Sequence, residues 1–201
     1  MQETLLKTEI PMIEGLDIGA ISIPYHQLNG DYIHFLDTDD GTLRVAISDV
    51  IGKGVPAALA MSMIKYALES FYEKEMSPST ILRKLNRIVE KNVTSNMFIS
   101  MFYGQYFPHN NIFRFASAGH EPGFIYRKKQ DQFDEIVAKG LVLGVLKNTH
   151  YQQYETTIDD GDMIVLLTDG VTVCRSGNRF IKRDELTDII KKYAHLPAQQ
   201  H

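Results

Sequence analysis

The sequence predicts an α+β sandwich folded as one domain. Three observations predict it. The chain has 201 residues, enough to bury one real core. Its apolar patterning runs strands, two long helices, many strands, then a helix, the order of a layered α+β fold rather than of alternating βα units. No repeat, low-complexity tract or linker interrupts that order.

Residues 1–14 mix apolar and charged positions and suit one or two helical turns, which Pro11 breaks. Leu16–Ile23 reads as a strand closed by Pro24, and Tyr32–Leu36 as a second. Asp39-Asp40-Gly41 has the Asp-Gly hairpin signature and leads into a third strand over Leu43–Ile47. From Pro56 to Phe71 apolar residues fall at 57, 60, 61, 64, 67, 68 and 71, the helical period. Ser62, Lys65 and Glu69 make a narrow polar stripe there, so this helix is expected to be buried on most sides. A second helix starts with Ser77 as N-cap and Pro78 at the first helical position. Its apolar face is 81, 82, 85, 88 and 89. Its other face carries Arg83, Lys84, Arg87 and Lys91, a solvated face or a docking surface for an acidic partner.

From Met97 the strands are expected at 97–107, 112–118, 123–127, 133–137, 151–158 and 163–168, with turns at 108–111, 118–122 and 159–161. Asp159-Asp160 precedes a strand and reads as a turn. Residues 183–194 form the last helix, with Leu186, Ile189, Ile190 and Tyr193 on one face, and 195–201 a frayed tail.

Composition narrows the function. Apolar residues make up 44% and charged residues 23%, and the net charge of −4 gives no reason to expect nucleic acid or an anionic membrane as partner. No stretch approaches the ~18 apolar residues of a membrane span. A single cysteine, Cys174, excludes an internal disulfide and fits a reducing cytoplasm. No Ser/His/Asp or Cys/His set is apparent.

The chemistry gathers on acids at strand ends. Leu43–Ile47 delivers Asp49; then Gly52-Lys53-Gly54 turns the chain into the helix that opens at Pro56. A carboxylate facing a glycine-rich helix start suits a divalent cation and a phosphate together, although an ordinary strand-turn-helix connection has the same appearance. Asp31 in Asn29-Gly30-Asp31-Tyr32 and Asp169 after the apolar run Met163–Thr168 have similar settings. Three such aspartates can converge as hard oxygen ligands for Mg²⁺ or Mn²⁺. His120, in a Gly-His-Glu-Pro turn, either contributes to metal or phosphate binding or bonds its own loop. The spacing of Gly52-Lys53-Gly54 is not that of a P-loop.

These segments resemble the bacterial PPM-type (protein phosphatase 2C-like) serine phosphatases of the RsbU/SpoIIE group. The resemblance is carried by Asn29-Gly30-Asp31-Tyr32, by Ser48-Asp49-Val50-Ile51-Gly52-Lys53-Gly54-Val55-Pro56-Ala57-Ala58-Leu59, by Ala116–Gly123 and by Leu167-Thr168-Asp169-Gly170-Val171-Thr172. It spans about Leu5 to about Tyr193. It implies an αββα sandwich with a two-metal Mn²⁺ or Mg²⁺ site at one edge. Asp49 would bridge the ions beside the Val50 backbone carbonyl, Asp31 and Asp169 would complete the protein ligands, and Gly52, Lys53 and Gly54 would face the substrate. The implied activity is removal of phosphate from a phosphoserine on an anti-anti-sigma (STAS) protein, releasing a stress sigma factor in the cytoplasm. The implied activator is a switch protein acting through an N-terminal helical domain, and Gln2–Ile13 resembles the end of the segment leading out of one. On this reading 1–14 is that leading segment, 15–194 the phosphatase domain and 195–201 a tail.

The sequence departs from the family pattern in three places. A further helix and strand with an Asp-Asp pair does not follow Tyr193, so the domain is expected to lack its last helix and strand and one metal ligand. Val173 stands where an acid is common, and Asn29 replaces a frequent glycine. The alternative is a catalytically weak or inactive module of the same fold that binds the phosphoprotein or a regulatory partner.

Overall fold

The structure, a computed structural model, describes residues 9–23, 30–37, 41–52, 55–71, 75–93, 97–172, 175–176 and 179–200. In chain order the strands are β1 (Tyr32–Asp37), β2 (Leu43–Ile51), β3 (Phe98–Phe107), β4 (Ile112–Ala118), β5 (Gly123–Arg127), β6 (Gln132–Ile136), β7 (Gln153–Thr157), β8 (Met163–Val165), β9 (Arg175–Ser176) and β10 (Arg179–Phe180). The helices are α1 (Val55–Ser70), α2 (Pro78–Asn92), the single turn α3 (Asp169–Thr172) and α4 (Arg183–Tyr193). Among the described residues the strands form a five-stranded sheet in the order β1-β2-β3-β4-β7, a three-stranded sheet β6-β5-β8 and a β9-β10 hairpin. The pairings within all three are antiparallel.

Strand β2 shows why the layers stack as they do. Side chains alternate across a strand, and here both faces are apolar. Val45 and Ile47 enter a cluster with Phe102, Phe113 and Phe115 of the large sheet and Ile125 and Ile136 of the small one. Ala46 and Val50 turn the other way, toward Met61, Ile64 and Leu68 of α1 and Ile81, Leu82, Leu85 and Val89 of α2. On the outer face of the small sheet, Phe124 packs with Leu167 and Leu186, and Ile190 of α4 lies against them. Helices, large sheet, small sheet and helix therefore form four layers, the αββα sandwich.

Helix α2 is built as its sequence predicts. The Ser77 hydroxyl accepts from the Thr80 N–H at 3.3 Å, and Pro78 opens the first turn. Asn86 sits among its apolar residues at 1% exposure. Its Nδ2 donates to the Leu146 carbonyl at 2.9 Å, and its Oδ1 accepts from the Gly144 N–H at 2.9 Å. It therefore pins the 144–146 loop to the helix. Asn86→Leu leaves the Gly144 N–H without its partner, at about 1–3 kcal/mol, while the Leu146 carbonyl keeps the Thr149 hydroxyl at 2.8 Å. A loss of about 1–3 kcal/mol in urea unfolding is expected; an unchanged midpoint would show that water satisfies the freed N–H.

The structure corrects four expectations. Leu16–Ile23 is not a strand: it joins no ladder, and Ile21 and Ile23 are 73% and 79% exposed. Residues 9–14 form no helical turn, and 1–8 lie outside the described residues. Helix α1 is buried on one face only, against the sheet and α2, while Val55, Leu59 and Tyr66 are exposed. The tail is ordered rather than frayed: 198–200 form a 3₁₀ turn, and the Ala198 N–H donates to Asp17 Oδ2 at 2.9 Å. The helix starts, the 159–161 turn and the remaining strands fall within a few residues of their predicted places, β8 excepted.

Candidate metal centre

The register of β1 on β2 brings the first two acids together. Tyr32 pairs with Ser48, and the Val50 N–H continues the ladder to the Gly30 carbonyl at 3.3 Å. Asp31 therefore stands directly across from Asp49. Cross-strand partners share a face, and like charges so placed repel. That face is the inter-sheet one, because Asp49 alternates with Ile47 and Val45 of the inter-sheet cluster. The two carboxyls meet in a hydrogen bond.

Asp169 arrives from the other sheet. Strand β8 stops at Val165, three residues short of its predicted end, and Leu166–Thr168 runs on outside any strand ladder. Asp169 then opens α3, exposed at the rim, close enough for its charge to act on both Asp31 and Asp49. Thr168 Oγ1 donates to Asp31 Oδ2 at 2.9 Å. Of the three predicted aspartates, Asp31 before β1 and Asp49 of β2 meet at one edge of the gap between the sheets, and Asp169 after β8 stands near enough for its charge to act on both.

The electrostatics are those of crowded acids. Burial pushes the Asp49 carboxyl up to about 6, with the charges of Asp31 and Asp169 and the bond to Asp31 adding to it. Asp31 is also raised, chiefly by burial, against the lowering effect of the Thr168 hydroxyl.

Two bare glycines keep the space in front of these acids open. A Cβ at Gly30 would lie 3.2 Å from Asp49 Oδ1 and 3.3 Å from the Val50 carbonyl oxygen. Both predicted ligand atoms therefore face the same spot. A Cβ at Gly170 would lie 3.6 Å from Asp31 Oδ2. The donor set is all oxygen, the chemistry that Mg²⁺ and Mn²⁺ take, and a dication relieves the repulsion that raises Asp49. Among the described residues no three His, Cys, Asp or Glu side chains stand already grouped at ion-binding separation, so the acids meet as a bonded pair with a third charge nearby. The residues fit the ion in chemistry and direction.

The other predicted positions divide. Gly52 is exposed, with Met97 side-chain carbon 3.7 Å from where its Cβ would be. Lys53 and Gly54 lie outside the described residues, as do Asn29, Val173 and Cys174. His120 sits one strand further along the same edge. Its Nδ1 is 2.9 Å from the Ser100 hydroxyl, whose residue pairs with Asp49, and its N–H donates to Ser117 Oγ at 3.1 Å. Nε2 is buried beside the Leu167 backbone, which favours the charged form, but nothing there meets hydrogen-bond geometry. Burial wins and pushes the imidazole down to about 4, so His120 is neutral at pH 7 and binds its surroundings, as a His in such a turn commonly does. Sequence reasoning missed Thr168 and Ser100; the cross-strand pairing that brings Ser100 beside Asp49 is visible only once the register is known.

The four-layer αββα sandwich is the fold of solved PP2C-type phosphatase domains. The chain belongs to the SpoIIE family, whose sequence profile, described as "Stage II sporulation protein E (SpoIIE)", matches residues 39–201. It is 50% identical over 200 residues to "Phosphoserine phosphatase RsbU" of Bacillus subtilis (strain 168), an alignment covering 100% of this chain and 59% of that protein. The chain thus spans little more than half of that relative's length. In structure it resembles the RsbU and RsbW domains of Rv1364c from Mycobacterium tuberculosis, with a TM-score of 0.74 at 22% identity over 87% of this chain and 49% of that one. It also resembles RsbX in complex with magnesium, with a TM-score of 0.61 at 16% identity over 87% of this chain and 85% of that one. No helix among the described residues is long and apolar enough to cross a membrane.

Proposed function

We propose that the chain is a metal-dependent phosphoserine phosphatase domain, with Asp31, Asp49, Asp169 and the Val50 carbonyl as ligands to a two-metal Mn²⁺ or Mg²⁺ site. The observation that carries this reading is the pairing of Asp31 with Asp49 at the rim with the Asp169 charge nearby, where burial and mutual repulsion raise Asp49 to about 6. Kinship with RsbU, and with a magnesium-bound relative of the same fold, supports it. Bound divalent cations supply a lowered water pKa and neutralise charge on the phosphoryl oxygens. The protein's share is to hold the ligands. Asp49, paired with Asp31, within reach of the Asp169 charge and next to Val50 in the chain, is the residue we assign as the bridging ligand. Gly30 and Gly170 leave room in front of the oxygens. Gly52-Lys53-Gly54, at the start of α1, is the segment we assign to the phosphoprotein.

The substrate in this reading is a phosphorylated anti-anti-sigma (STAS) protein of a stress sigma pathway, and activation comes from a switch protein acting through an upstream domain. The test is phosphate release from a phosphoserine-bearing STAS protein, with Mn²⁺ and with chelator. Metal-dependent release is expected. A stable complex that releases no phosphate at any metal concentration would identify a binding module and end the enzymatic reading.

A further inference from the structure

We propose that Thr168 is a positioning residue for the metal centre: its hydroxyl holds the Asp31 carboxylate in the orientation in which it binds a cation. The inference rests on the ligand assignment above and adds a residue to it.

Thr168 is 8% exposed, and its Oγ1 to Asp31 Oδ2 bond of 2.9 Å joins residues 137 positions apart. The bond spans the two halves of the site. Asp31 belongs to the large-sheet side, at the entry to β1, while Thr168 immediately precedes Asp169, which comes from the small-sheet side. Leu166–Thr168 has left the strand ladder, so sheet pairing does not fix the height of Thr168 at the rim. A local bond fixes it instead. The Val171 N–H donates to the Thr168 carbonyl at 3.1 Å, closing the turn that presents Asp169. Gly170 of that turn lies beside the same bond: a Cβ there would make ordinary contacts of 3.4 Å to Thr168 Oγ1 and 3.6 Å to Asp31 Oδ2.

The chemistry follows from the donor inventory. A hydroxyl gives one proton to one carboxylate oxygen, so it anchors Oδ2 and leaves Oδ1 and the remaining lone pairs for other partners. Asp31 without that anchor is free to turn fully into its bond with Asp49, the arrangement that opposes cation binding. Groups that orient ligands in this way commonly account for about 10–100-fold in metal affinity.

The test uses the whole chain and Mn²⁺ alone, by calorimetric titration of the parent, Thr168→Ser, Thr168→Val and Thr168→Ala. The serine variant keeps the hydroxyl and is expected to bind within a few-fold of the parent. The valine and alanine variants are expected to bind about 10–100-fold more weakly. Alanine serves where the valine variant does not fold. Parental affinity in the variants without a hydroxyl overturns the proposal, and so does a serine variant as weak as valine, because packing and not the hydroxyl would then matter. A parent chain that fails to bind Mn²⁺ at all overturns the ligand assignment itself.

Discussion

Asp49→Asn abolishes phosphate release and, with divalent ions removed, makes the folded chain more stable above pH 6. Both effects come from one carboxylate. On the catalytic side, if Asp49 is the shared ligand proposed above, its loss removes several kcal/mol of charge stabilisation, which corresponds to about 10³-fold or more in rate. On the stability side, the folded chain raises the Asp49 carboxyl from 3.8 to about 6. The folded state therefore binds this proton more tightly than the unfolded state does. Stability falls as pH rises through the window from about 4 to about 6 and stays lower above it. A shift of that size is worth about 3 kcal/mol at 1.36 kcal/mol per unit, and partial solvent exposure reduces it to about 1–2. Asparagine keeps the shape and does not titrate. In chelator at about pH 8 the variant is expected to unfold at higher urea than the parent by that margin, and near pH 4 the difference vanishes. Mn²⁺ at about 100 times its dissociation constant then adds about 2.7 kcal/mol to the parent and little to the variant. A variant less stable than the parent in chelator at high pH would show that the acids do not repel one another.

That result is an instance of what the sequence displays and what it withholds. Each acid is recognisable by its setting, an aspartate near a glycine at the end of an apolar run, because that setting is local. The pairing of Asp31 with Asp49 is not, since it depends on the hairpin register. Thr168, Asn86 and Ser100 are missed for the same reason: each is an ordinary polar residue in sequence, and its role comes from partners 137, 58–60 and 20 positions away. Local patterning places α2 and β4 well, because capping and alternation are properties of neighbouring residues. It fails at Leu16–Ile23, where a strand-like run joins no ladder, and at β8, where Leu166 and Leu167 leave the ladder, Leu166 against the inter-sheet cluster and Leu167 toward α4, and carry Asp169 to the rim. The αββα order of layers was available from the family resemblance; from the residues alone, the apolar character of both faces of β2 is its one direct trace.

Gly104→Ala is expected to destabilise the fold by about 1–2 kcal/mol, against the direction that backbone propensity gives. Gly104 lies inside β3, at the middle of the large sheet, paired with Val45 on one side and Phe115 on the other. A glycine within a strand is entropically poor, so alanine there ordinarily gains about 0.5–1 kcal/mol. Packing reverses this. Gly104 turns toward the inter-sheet cluster, where Phe102, Phe113 and Phe115 stack with centroids 5.6–6.2 Å apart. A Cβ at Gly104 would lie 2.5 and 2.7 Å from the Phe113 ring carbons Cζ and Cε2, and 3.3 Å from Phe102 Cε1. The near atoms are the far edge of a side chain, which elsewhere could swing aside. Here the ring is 2% exposed and held between two others, so it moves only by displacing the stack. Overpacking of that kind costs about 1–3 kcal/mol and sometimes more. The compensating variant decides the cause. Phe113→Leu alone opens a cavity and is destabilising, but combined with Gly104→Ala it makes room for the new methyl, so the double variant is expected to be more stable than the sum of the two single losses by about 1 kcal/mol or more. Strict additivity in urea unfolding would mean that the clash is not with Phe113 and that the glycine is required for its backbone alone.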